Sequence, residues 1–255
     1  MFIVWGKKLV YRKIGFVADL CPICRTVQAF VVKRVGLAGH IYYISAGEGT
    51  LAGFERTCLS CATTFVTDPG KYKEIVKKSG SLAELQAQTF PDIDVVLHDR
   101  LQLEARVINT PLLLSSEERT ALIRDPFLLL ASKVEKRYAS THLDKEAGLT
   151  IVAALALMIV GPAVSHALLP DAGPETVMVF IVLAIALIGW QIVMAKSRFM
   201  KRQVIPVLVK ALLPLKPTES ELKATIAELS KLGHKIATKL KLPDLQSQLS
   251  PAGPA

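Results

Sequence analysis

Four cysteines stand in two pairs of identical spacing, Cys21-Pro22-Ile23-Cys24 and Cys58-Leu59-Ser60-Cys61, and they are all the cysteines of the chain. A CxxC pair delivers two thiolates from one tight turn. Two such pairs match the tetrahedral, sulfur-rich coordination that Zn²⁺ takes in structural sites. With four thiolates bound, no position is left for a catalytic water. The spacing therefore predicts Cys21, Cys24, Cys58 and Cys61 as ligands of one structural Zn²⁺. Two other uses of the same thiols stay open: a redox dithiol, and no metal at all. A thioredoxin-type CxxC opens a helix in a βαβ pattern, whereas both pairs here lie between strand-like runs.

Those runs are rich in β-branched and aromatic residues. Residues 13–18 lead into the first pair and 28–35 lead away from it. Residues 54–57 lead into the second pair and 63–66 lead out. Gly36, Gly39, Gly47, Gly49 and Gly53 punctuate the intervening stretch as turns. Each CxxC is thus expected at a hairpin tip, with the two tips facing each other. With the opening Phe2-Ile3-Val4-Trp5-Gly6, the pattern resembles the bacterial zinc-ribbon family over residues 1–70, about a quarter of the chain. The resemblance implies a Cys₄ structural zinc on a three-stranded sheet. That family includes nucleic-acid binders, protein-binding modules and sensors, so it does not choose a task. One feature departs from it. Zinc knuckles commonly carry glycine after the second cysteine, where φ is positive; here Arg25 and Ala62 stand there.

Two stretches lack any charged residue, 147–170 and 176–195. As helices they would extend roughly 36 and 30 Å, and a bilayer core is about 30 Å thick. Both are apolar on every side, which a small soluble core cannot enclose. The connector 171–175 contains Gly173 and Pro174, turn residues, so the spans form a transmembrane hairpin. Lys133, Lys136, Arg137 and Lys145 precede the first span. Lys196, Arg198, Lys201 and Arg202 follow the second, and the connector carries only Asp171 and Glu175. The positive-inside rule then predicts a cell (inner) membrane protein with both termini cytoplasmic and the connector outside. Trp190 falls at the inner interface. The apolar opening of the chain ends at Gly6-Lys7-Lys8, too short for a secretory signal. The cysteines are therefore expected in a reducing compartment, where metal binding is favoured over disulfides.

Between ribbon and hairpin, residues 71–145 read as a cytoplasmic helical segment. Helices are expected over 81–88, 91–106, 116–124 and 126–140, with Ser115 and Glu118 as a capping box. His98 lies among Asp94, Asp99 and Glu104 and reads as part of a solvated face. No Ser-His-Asp order, phosphate loop, HExxH or GxSxG motif is present, so no catalytic residue is assigned and no enzyme is expected.

The net charge of +9 is concentrated after the hairpin. Residues 196–242 form a basic helical tail. Thr218 and Glu221 begin an amphipathic helix whose seam is Leu222, Ile226, Leu229, Gly233, Ile236 and Leu240. Lys231, Lys235 and Lys239 form a second row suited to anionic headgroups. Pro243 is expected to stop the helix, and 243–255 to be disordered. The fold class is thus mixed: a small β ribbon, a helical segment, a two-helix membrane hairpin and a C-terminal amphipathic helix. The expected task is a membrane-anchored, non-enzymatic adaptor or scaffold for a cytoplasmic protein partner. The alternatives are a membrane-proximal nucleic-acid-binding ribbon, less supported because the soluble N-terminal part is only weakly basic, and a CxxC thiol redox protein.

Overall fold

The computed structural model describes residues 5–41, 44–45, 47–140, 144–168 and 175–250. The expected turn at 171–174, the first four residues and the last five lie outside them. The chain divides into two compact units, Met1–Leu122 with Val207–Pro217, and Ile123–Pro206 with Thr218–Ala255. The architecture is mixed, an antiparallel sheet followed mostly by helices.

The first unit is built on strands β1 (Trp5–Cys21), β2 (Thr26–Ile41), β3 (Ile44–Ser45), β4 (Thr50–Cys58) and β5 (Thr64–Val66). The order is β1-β2-β4-β5, with β3 pairing β2, all antiparallel. The sheet is larger than the three strands that the resemblance implies. Gly36 and Gly39, read as turn residues, lie inside β2, opposite Val10 and Lys7 of β1. Cross-strand pairing of a long hairpin overrides their weak strand propensity. The sheet core holds Val17, Ile23, Phe30 and Val32. Tyr72, Phe90, Ile93 and Ala211 close it, so this unit reaches well past residue 70.

Helix α1 (Leu82–Thr89) has the capping box of Ser81 and Glu84. The helix expected over 91–106 is broken at Leu97 into α2 (Ile93–Val96) and α3 (His98–Asn109). Helix α4 (Ser116–Ala139) is continuous where two helices were expected, with Pro126 inside it. Proline has no N–H for the carbonyl four residues back, that of Leu122. The Leu122 carbonyl instead accepts Nη2 of Arg25 at 3.5 Å.

In the second unit, α5 (Lys145–Leu168) and α6 (Glu175–Phe199) pack as a hairpin. Ala154 and Ala184 are buried between them, and a Cβ on Gly161 would come 2.7 Å from the Phe180 ring. Small residues thus let the backbones approach. Their most apolar stretches are only 11% and 6% buried. Leu149, Val152, Ile159, Val182, Ile185 and Val193 all face outward, the opposite of core helices. Both helices are long and apolar enough to cross a membrane. At the charged end of the hairpin, Arg198 holds Asp144 with two hydrogen bonds of 2.9 and 3.0 Å and Glu146 at 2.9 Å. Arg202 pairs with Glu146 as well.

A π-helical turn, Met200–Val204, follows α6 and leads into α7 (Ile205–Leu212). The tail then forms α8 (Glu219–Lys231), α9 (Lys235–Lys239) and α10 (Leu242–Leu249). One helix through residue 240 was expected; it stops at Gly233, whose φ is +82°. The Gly233 and His234 amides donate to the Ser230 and Leu229 carbonyls, the hydrogen-bond pattern of a glycine C-cap. Leu222, Leu229 and Ile236 are still buried, but Lys231, Lys235 and Lys239 do not share one helix. The expected disorder from 243 also fails over 243–249. Pro243 lies in the first turn of α10, where its missing N–H costs nothing, and Leu245 is buried.

Candidate metal centre

Cys21 ends β1 and Cys58 ends β4, and β2 pairs with both strands. Thr26 lies opposite Cys21, and Phe30 opposite Cys58. Antiparallel pairing on either side of β2 therefore brings the β1–β2 and β4–β5 turns to one end of the sheet. The four Sγ atoms lie within 4.8 Å of one another. Cys21 and Cys61 are 3.6 Å apart, and Cys24 and Cys58 4.0 Å. A tetrahedron with metal–sulfur bonds near 2.3 Å has edges of about 3.8 Å, so the donor set fits a tetrahedral, thiolate-binding cation. Among the described residues this is the one such cluster of metal-ligating side chains.

Cys21 and Cys58 are buried, and Cys24 and Cys61 are half-buried. The Cys24 amide donates to Cys21 Sγ at 3.4 Å. Hydrogen bonds with Cys58 and Cys61, and then burial, push the Cys21 thiol far up. Hydrogen bonds from Cys21 and Cys58 hold the Cys61 thiol far down. The packed thiols hydrogen-bond to one another, and a bound cation would replace their protons.

The knuckle conformation is present without glycine. Arg25 has φ +59° and Ala62 φ +55°. Their amides donate to the Cys21 and Cys58 carbonyls at 2.7 and 3.0 Å. The left-handed region costs an L-residue roughly 1–2 kcal/mol. At Arg25 the side chain offsets that cost. It is almost fully buried, with Nη1 2.7 Å from Glu104 Oε2 and Nε donating 3.0 Å to the Ala211 carbonyl near the end of α7. Glu104 also takes Arg100 at 2.7 Å. Sequence reasoning placed Glu104 on a solvated face and assigned Arg25 no task. The only signal was a charged residue where a glycine is usual. His98, by contrast, is exposed and pairs with Gln102 at 2.8 Å; the acidic residues near it in sequence form no site with it.

A second buried charge was not anticipated. Asp19, two residues before Cys21, contacts Arg56 and Lys71, accepts the Tyr72 hydroxyl at 2.6 Å and takes the Leu20 amide at 2.7 Å. Arg56 lies over the Phe30 ring at 4.7 Å. Burial and then the Arg56 charge pull the Lys71 ammonium down to about 8, with Asp68 opposing. Asp19 thus ties β1 to β4 just below the sulfurs.

Compared with family models, curated proteins and solved structures, the chain matches none.

Proposed function

We propose that this protein is a membrane-anchored zinc-ribbon adaptor, which holds a cytoplasmic protein partner at the inner membrane. The observation that carries it is the cluster of four sulfurs within 4.8 Å at two adjacent hairpin tips. A Cys₄ set favours zinc and leaves no open coordination position, so the metal's role is to hold the unit together. Cys21, Cys24, Cys58 and Cys61 are its ligands. The outward-facing apolar side chains of α5 and α6 support a bilayer anchor, and the basic residues flanking them support cytoplasmic termini.

The ribbon's exposed apolar side chains, among them Leu9, Tyr11, Leu51 and Val66, support a protein partner. Nucleic acid is the second reading. It draws on Lys7, Lys13 and Lys33 of the β1–β2 hairpin; Arg12 and Arg34 there pair with Glu48.

Three measurements test this. Metal analysis of the full chain in detergent should find one zinc per chain, lost in Cys58→Ser. A metal-free, fully folded protein sinks the ribbon. Alkaline carbonate should leave the protein in membranes, and a label at Asp171→Cys should react from outside only. Crosslinking in native membranes should recover a protein; salt-sensitive RNA or DNA in its place favours the second reading.

A further inference from the structure

A cavity of about 510 Å³ lies in the second unit beside the charged end of α6. Its walls come from three places: the end of α6 with the π turn, Tyr138 near the end of α4, and the α9–α10 segment. Lys196, Lys201, Lys239 and Lys241 line it, against the single carboxylate of Asp244. Lys201 takes that carboxylate at 3.4 Å, and Lys196 stands 5.5 Å from the Tyr138 ring. Among the described residues, Lys239 and Lys241 have no carboxylate partner. The positive charge is therefore in excess, and it converges on one hollow rather than spreading over a face.

The other wall is apolar: Val193, Met194 and Met200. Val193 is 68% exposed, so this wall continues onto the outward apolar face of α6. Met200 and Lys201 enter the cavity from the π turn, an irregularity that recurs at functional sites. Val193 is one helical turn beyond Trp190, roughly 4.5 Å along the axis. In a hairpin that spans a bilayer, that is headgroup depth on the cytoplasmic side.

We propose that this cavity binds the phosphate of an anionic phospholipid, with an acyl chain lying along Val193 and Met194. The lysines neutralise the phosphate, and the apolar wall distinguishes a lipid from a soluble phosphate. Of the three tail lysines expected to meet headgroups, only Lys239 belongs to the site; its partners are Lys241 and two lysines at the end of the spanning helix. The proposal rests on the membrane reading above.

The test uses the full chain in dodecyl maltoside micelles, with fluorescent phosphatidylglycerol and phosphatidylcholine as probes. Phosphatidylglycerol should bind at least roughly tenfold more tightly. Lys239→Gln with Lys241→Gln should weaken it roughly ten- to thirtyfold, while Lys223→Gln with Lys231→Gln, outside the cavity, should leave it within about twofold. Equal binding of the two lipids, or equal loss in both variants, overturns the proposal. So does glycerol 3-phosphate or inorganic phosphate binding as tightly as the lipid, since the apolar wall then adds nothing. Carbonate extraction separates this from the anchor: a protein that stays in membranes but shows no lipid preference loses the cavity assignment alone.

Discussion

Arg25 Nη1 lies 2.7 Å from Glu104 Oε2, with both side chains only 2% exposed, so a residue of the first cysteine knuckle is ion-paired in the protein interior to helix α3. Removing one partner strands the other charge. Glu104→Gln should therefore destabilise the first unit by about 3–5 kcal/mol, read as a lower thermal midpoint of the full chain in detergent. Arg25→Met with Glu104→Leu should recover much of that loss, because removing both charges removes the desolvation cost. If the double variant is as unstable as the single, the pair is not what matters.

Ala62 offers the complementary experiment. It holds φ +55° with an exposed side chain that gains nothing in return. Ala62→Gly should stabilise the unit by about 1 kcal/mol and slow metal loss to a chelator. A destabilised variant would show that the backbone there is not strained.

Metal removal should act locally. A chelator should raise hydrogen exchange at the ends of β1, β2 and β4 around the sulfurs while leaving α5 and α6 protected, because the ligand set lies wholly in the first unit. Acid should do the same, since thiolates must be reprotonated to release a cation. Uniform exchange with and without chelator would contradict a structural metal.

Asp144 predicts a pH dependence at the base of the hairpin. The Arg198 guanidinium holds its carboxyl below the usual carboxylate value, near 3.9 in the absence of partners. A depressed folded value means stabilisation that is present above about pH 4 and lost as the pH falls through the lower folded value. Asp144→Asn should abolish this acid-side step in proteolysis of the residues near α5. An unchanged step would assign it elsewhere.

Gly161 should tolerate no side chain. A Cβ would meet the Phe180 ring at 2.7 Å, so Gly161→Val should force α5 and α6 apart at a cost of about 1–3 kcal/mol. The reduced yield of a disulfide engineered across the two helices would report it; an undiminished yield would place the helices differently.

The capping boxes at Ser115–Glu118 and Thr218–Glu221 were legible because a cap is a contact between residues three apart. The two apolar helices were legible because length and composition alone mark them. Gly36, Gly39, Pro126 and Pro243 misled, each because a local preference lost to a neighbour or a position: a paired strand, a carbonyl taken by Arg25, a first helical turn. Gly233 was read as part of a seam, yet it ends the helix with a left-handed residue.

The sequence by itself determined the type of donor atom, the pairing of cysteines within each turn, and the two long apolar stretches, since these depend on spacing and composition. Only the tertiary structure decided that the two turns meet within ligand distance, that Arg25 is buried against Glu104 some 79 residues away, and that four lysines from separate elements surround one cavity. Contacts of that kind depend on which strands pair and which helices pack, and no local pattern encodes them.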